Sequence, residues 1–194
     1  MKLNIIDTGA WTISKNEIQS YHHHDTNLSK FLTQYLSSIG AKTIYEFGCG
    51  KGLYSKNLIE NGFDVDASDG NPNTYDITNG ISYVRDLTKK FDLPKRDVVI
   101  CLEVGEHIPK EYEKIVLDNI FTSSNNIVIL SWAIKGQDGY GHVNCQDNDY
   151  IINQANLRNF TFDSKTSKYF RRASSLGWFK NTIMIFKNDY LNNL

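Results

Sequence analysis

Glu46, Gly48, Gly50, Gly52 and Asp69 are spaced to hold a ligand against the backbone and through its ribose. The run Thr43-Ile44-Tyr45-Glu46-Phe47 is an apolar strand that passes into Gly48-Cys49-Gly50-Lys51-Gly52. The next apolar run, residues 63–68, closes on Asp69. In open α/β sheets, glycines after the first strand let the backbone approach a ligand, and an acid after the second accepts hydrogen bonds from ribose hydroxyls. The pattern points to an adenosine-containing ligand. A dinucleotide fingerprint would need a third glycine where Leu53 stands, so the pattern is E-x-G-x-G-x-G instead. A second group, Glu103, Glu106 and His107, follows a further apolar run, and His142 sits in a polar loop with glycines at 136, 139 and 141. An imidazole there suits a general base. A histidine bonded to a loop carbonyl fits the same position.

These residues need strands that end together and helices between them. Leu28, Phe31, Leu32, Tyr35, Leu36 and Ile39 follow helical spacing, with Asp25 or Thr26 as N-cap and Gly40 as terminator. The glycine turn opens a helix to about Asn61, stopped by Gly62. Residues 81–84 read as a third strand, and 97–102 and 126–131 as continuous apolar strands buried on both faces. Helices are expected around 112–120 and 148–157, then strands at 160–162 and 182–186 with a short helix at 164–174. The last two strands stand too close for an ordinary crossover, so an antiparallel pair is expected. Strands that alternate with helices make an α/β fold. The segment 21–25, rich in histidine, lies where it can fold over the ligand as a lid, and Trp11, Tyr21, Trp132, Tyr140 and Trp178 can wall a pocket.

The chain has 194 residues, enough for one domain: an amino-terminal lid and helix over 1–40 and a core over 41–194. Its net charge of −1 provides no global attraction for nucleic acid or an anionic membrane. Cys49, Cys101 and Cys145 have no paired spacing, and no stretch is apolar enough to span a bilayer. The start, Met1 to Asp7, lacks a leader's apolar core, and a cytoplasmic protein is expected.

The glycine motif resembles motif I of the class I S-adenosylmethionine (SAM) methyltransferases. The run Leu102-Glu103-Val104-Gly105-Glu106-His107-Ile108-Pro109 is similar to the motif after strand four of ubiquinone-type O-methyltransferases. The resemblance covers about residues 40–190. It implies a Rossmann-like, doubly wound seven-stranded sheet in the order 3-2-1-4-5-7-6, its last strand antiparallel. It also implies SAM as cofactor. Gly48, Cys49 and Gly50 would run beside the methionine moiety, with Glu46 orienting that region. Asp69 would bind the ribose, and Gly70 and Asn71 would border the adenine. Asp86 and Leu87 would meet the adenine amine, while Glu103 and Val104 would line the sulfonium side.

Three functions follow from the resemblance, in order of expectation. The first is methyl transfer to oxygen or nitrogen of a small-molecule acceptor, with Glu106, His107 and His142 catalytic. The second is RNA or other nucleic-acid 2′-O-type methylation. Glu103-x-x-Glu106-His107 resembles the E-x-x-E-H of methyltransferases acting on small-RNA 3′ ends, where a later histidine completes a divalent-metal site. His142 would be that histidine, and Lys165, Lys168, Arg171 and Arg172 a basic patch. The metal is a secondary expectation. The third is a non-catalytic binding module on the same fold.

Overall fold

Alternation within each apolar run decides which side of the sheet every residue serves. In the computed structural model, which describes residues 4–189, Ile44, Val98, Ile100, Ile129 and Ile185 face one core. Their neighbours Tyr45, Phe47, Val99, Cys101 and Val128 face the other, as a period of two requires. Residues 1–3, part of the start read for a leader, lie outside the described residues. The seven strands are β1 (Thr43–Phe47), β2 (Asp64–Asp69), β3 (Ser82–Val84), β4 (Arg96–Leu102), β5 (Ser124–Ser131), β6 (Phe160–Phe162) and β7 (Met184–Asn188). They form one sheet in the order β3-β2-β1-β4-β5-β7-β6. Only β7 runs opposite to the other six strands, antiparallel to β5 and β6. The expected architecture is present.

The helices are α1 (Ile18–Tyr21), α2 (Thr26–Ser38), α3 (Leu53–Glu60), α4 (Thr74–Ile77), α5 (Glu113–Thr122), α6 (Asn148–Asn156), α7 (Ser164–Ala173) and α8 (Phe179–Thr182). Helix α2 buries Leu28, Leu32 and Leu36 with α3 and α7 on one face of the sheet, and α5 and α6 cover the other. Each such leucine contributes about 1.5–3 kcal/mol relative to an exposed position. Asp25 caps α2, accepting from the Leu28 amide at 3.0 Å, and Gly40 follows its end at φ +70°.

Most boundaries shift by one or two residues from expectation, and two of the shifts have identifiable reasons. Strand β2 starts at Asp64 and includes Asp69, because Asp69 pairs with Val84 of β3. The final strand starts at Met184, not 182, since Thr182 ends α8 and its hydroxyl donates to the Trp178 carbonyl.

Candidate functional site

Parallel strands place their carboxyl ends on one rim of the sheet, and the connections after β1, β2, β4 and β5 meet there. The turn after β1 is built by backbone. The amides of Gly48 and Cys49 both donate to the Ser68 carbonyl, at 2.8 and 3.0 Å, which ties the turn to β2. The Gly50 amide donates to Asp69 Oδ2 at 2.8 Å, and the Asn71 amide to Asp69 Oδ1 at 2.8 Å. Gly48 lies at φ +72° with Val104 packed where a side chain would stand. Glycine is required there on both counts. Glu46 is buried at the end of β1 and accepts from the Ser55 hydroxyl. Burial pushes its carboxyl up to about 7, against the opposing pull of Ser55.

The second group stands across the same space. Glu103 adopts φ +53°, a strained conformation for a side-chain-bearing residue, of the kind that clusters at functional sites. Its carboxylate is held from both sides, by Gln137 Nε2 at 2.9 Å and Thr182 Oγ1 at 3.0 Å. Glu106 is fully buried, and no side chain hydrogen-bonds either of its oxygens; only the Glu106 and Ala133 backbone amides act on them. Burial, then the neighbouring Glu103, push its carboxyl well above the usual range. The Glu106 carbonyl accepts from the Val143 and Asn144 amides at 2.8 and 3.0 Å, which fastens the loop after β5 to the turn after β4.

That splice brings His142 to His107, ring centroids 5.0 Å apart. Ligand atoms of Glu106, His107 and His142 all lie within 4.8 Å of one another. His142 Nδ1 sits 3.0 Å from the Gln137 carbonyl, and His107 Nδ1 3.4 Å from that of Gly141. A carbonyl can only accept, so each ring carries a proton on Nδ1. Burial lowers His107 to about 4, so it is neutral near pH 7. For His142, the contact with a loop carbonyl is present.

Both groups open into one cavity of about 810 Å³. All fourteen residues expected at the site line it: Glu46, Gly48, Cys49, Gly50, Asp69, Gly70, Asn71, Asp86, Leu87, Glu103, Val104, Glu106, His107 and His142. Three of the four residues expected around a metal converge, whereas the Glu103 carboxylate is engaged by Gln137 and Thr182. The Asn71 side-chain amide is committed to the Ile13 carbonyl at 3.0 Å, which anchors the amino-terminal segment. Asp86 accepts from the Thr88 amide and hydroxyl, a local turn.

Trp132 departs from expectation. It does not wall the pocket but is fully buried, its Nε1 donating to the Asn144 carbonyl at 2.7 Å. Its indole packs across Gly105, where any Cβ would overlap the ring. Gly105→Ala is therefore expected to lose about 1–3 kcal/mol of stability, seen as a lower urea midpoint. Trp11, Tyr21, Tyr140 and Trp178 do line the cavity. Thr182 and Ser55, which bond Glu103 and Glu46, support the site without any signal in their local sequence, whereas His22 belongs to the histidine-rich segment expected as a lid. His22 closes on Gly50 from a separate segment, with Trp11 edge-on to both His22 and His107 at 5.1 Å.

No family model matches the chain. It is 28% identical over 143 residues to the ubiquinone biosynthesis O-methyltransferase of Rickettsia conorii, a match covering 69% of this chain and 49% of that protein. The chain thus spans about half the length of the curated relatives it matches. Magnesium protoporphyrin IX methyltransferase from Synechocystis, solved with S-adenosylhomocysteine (SAH), superposes with a TM-score of 0.66 at 17% identity, covering 89% of this chain and 92% of that one. The small RNA methyltransferase HEN1 superposes at 0.64 with 14% identity, covering 83% of this chain and 25% of that one. Among the described residues, no helix is long and apolar enough to cross a membrane. The chain has the class I SAM-dependent methyltransferase fold and is similar in sequence to ubiquinone biosynthesis O-methyltransferases.

Proposed function

We propose that the chain binds SAM and transfers its methyl group to an oxygen or nitrogen of a small-molecule acceptor. What supports this reading is a single cavity that joins the Glu46–Asp69 cradle to the buried Glu106, His107 and His142 group. Asp69 orders the turn and offers its remaining lone pairs to a ribose. Glu46 faces the positively charged end of the cofactor. SAM is already activated as a sulfonium, so alignment of the acceptor with the methyl group supplies much of the rate. His142 Nε2 takes the acceptor proton, and the Gln137 carbonyl stabilises the imidazolium that results. The walls provided by Trp11, Tyr21 and Tyr140 suit a compact acceptor with apolar surface. Free thiols at Cys49, Cys101 and Cys145 suit a reducing compartment.

The test is transfer of a labelled methyl group from SAM across a panel of phenolic, sugar and amine acceptors, alongside melting with and without SAM. Transfer to one class and a SAM-dependent rise in melting temperature are expected. No transfer and no rise together overturn the reading.

Glu106, His107 and His142 also fit a divalent cation such as Mg, Mn or Zn, since a buried carboxylate with no side-chain partner lies beside two imidazoles. Such an ion would acidify an acceptor hydroxyl. Full activity in excess EDTA would exclude it.

Glu46 makes cofactor binding depend on pH. Its raised value means the folded protein binds more protons than the unfolded chain between about 4.5 and 7, so its ionisation lowers stability as pH rises through that window. A cationic ligand favours the ionised form. SAM affinity is therefore expected to rise about fivefold between pH 6 and 7 and to flatten above about pH 8, measured by calorimetry, and Glu46→Gln should remove the slope.

A further inference from the structure

Glu103 is fixed through its main chain and its side chain together. Its amide donates to the Ser131 hydroxyl at 2.9 Å, at the end of β5, and its backbone stands at φ +53°. The two carboxylate oxygens are taken separately, Oε1 by the Thr182 hydroxyl at 3.0 Å and Oε2 by Gln137 Nε2 at 2.9 Å. One residue therefore ties the ends of β4 and β5 to α8 and to the loop after β5.

The bond to Gln137 continues on its far side. The Gln137 amide donates to the Ile134 carbonyl at 3.0 Å, closing a turn, and the Gln137 carbonyl lies 3.0 Å from His142 Nδ1. Gly139 lies against the Nε2–Cε1 edge of the same ring, in the space a Cβ would fill. Residues 137–139 thus bracket the imidazole on both edges. Beyond the ring, the Val143 and Asn144 amides moor the loop to the Glu106 carbonyl. Before the ring, the Gln137 side chain joins it to the end of β4. Cys145 Sγ, 3.6 Å from His142 Nδ1, is a weaker partner. A ring that turns away from the acceptor loses the alignment on which group transfer depends.

We propose that Glu103 and Gln137 are positioning residues for methyl transfer: Glu103 anchors the Gln137 side chain, and Gln137 in turn holds the His142 imidazole toward the acceptor. This rests on the reading of His142 as the proton acceptor and names what keeps that base in place. It also assigns Glu103 to the acceptor half of the cavity, where the resemblance implied a place beside the sulfonium.

Reversing the pair tests the assignment. Gln137→Glu sets one carboxyl against another and should lower kcat about 10- to 100-fold, with the calorimetric Kd for SAM within about threefold. Glu103→Gln combined with Gln137→Glu restores the hydrogen bond with donor and acceptor exchanged, keeps an oxygen for Thr182, and should recover most of that loss. Turnover is read as SAH released with the acceptor class that the labelled-methyl panel returns. A second readout needs no acceptor and does not follow from a general loss of stability. In NMR of histidine-labelled protein, with His142 assigned through His142→Gln, the unaltered chain and the double variant should carry the ring proton on Nδ1. Gln137→Leu, which removes the tie without adding charge, should show both tautomers in exchange. Undiminished kcat or an unchanged His142 spectrum in Gln137→Leu overturns the assignment, as does a double variant no more active than Gln137→Glu. A loss of SAM affinity that matches the loss of kcat overturns it as well and returns Glu103 to the cofactor. Undiminished turnover in His142→Gln defeats instead the reading of His142 as the base, and that outcome is distinct.

Discussion

Glu106→Gln is expected to reduce methyl transfer by about 10²–10⁴-fold while SAM affinity stays within about threefold, measured as kcat and as the calorimetric Kd. The carboxyl lies on the acceptor side with His107 and His142, not in the cradle formed by Glu46 and Asp69. Its position is fixed by its own main chain, because the Glu106 carbonyl holds the Val143 and Asn144 amides whatever the side chain is. The substitution should therefore leave His142 in place and remove only the acid. A second measurement checks the same point. The two oxygens are buried with no side-chain partner, and the burial costs stability. Glu106→Leu should accordingly melt about 2–4 °C higher even as activity is lost, the usual opposition between stability and function at an active site. Wild-type turnover in Glu106→Gln would remove the carboxyl from the chemistry.

The largest loss of stability is expected from Asp25→Ala, about 3 kcal/mol, or roughly a 10 °C fall in melting temperature. Asp25 is fully buried and does more than cap α2. Besides the Leu28 amide it accepts from the Ser175 amide at 2.6 Å, the Ser175 hydroxyl at 2.8 Å and the Leu176 amide at 2.9 Å. One carboxylate thus joins the start of the first long helix to the segment between α7 and α8. Burial by itself would raise this carboxyl, but the hydrogen bonds from Leu28, Leu176 and Ser175 outweigh it and hold it below the ordinary range. A depressed carboxylate contributes stability above its unfolded value near 3.8 and loses it as pH falls through the folded one. The difference between wild type and Asp25→Ala should therefore be constant near neutrality and shrink below about pH 4. A pH-independent difference would mean that the loss is of packing and not of the charge.

The parts of the site that could be read from sequence are those whose function depends on local spacing. Gly48, Gly50 and Asp69 sit at strand ends, where an apolar run and its terminator fix the position of each residue. The Glu103–His107 group was legible for the same reason. Trp132 was not. Its place in the core depends on Gly105 leaving room for the indole, and nothing in the sequence around Trp132 reports on Gly105. Thr182 looked like the first residue of a strand by its apolar neighbours, yet it ends a helical turn so that its hydroxyl can reach Glu103. His22 was visible only as part of a histidine run. Its contact with Gly50 depends on where the amino-terminal segment is held, which the Asn71 and Asn73 side-chain amides set through the backbone carbonyl of Ile13. Contacts made through backbone atoms leave little trace in residue type.

The same property gives the Glu106–loop junction a consequence for how new specificities arise. The two hydrogen bonds that hold Val143 and Asn144 to Glu106 involve main-chain atoms alone. Residues 134–141 can then vary in their side chains, provided the Gln137 and Gly141 carbonyls and the glycine at 139 keep their places against His142 and His107. Transplanting that segment between homologues should move acceptor preference as a unit, with the proton-accepting imidazole carried over intact.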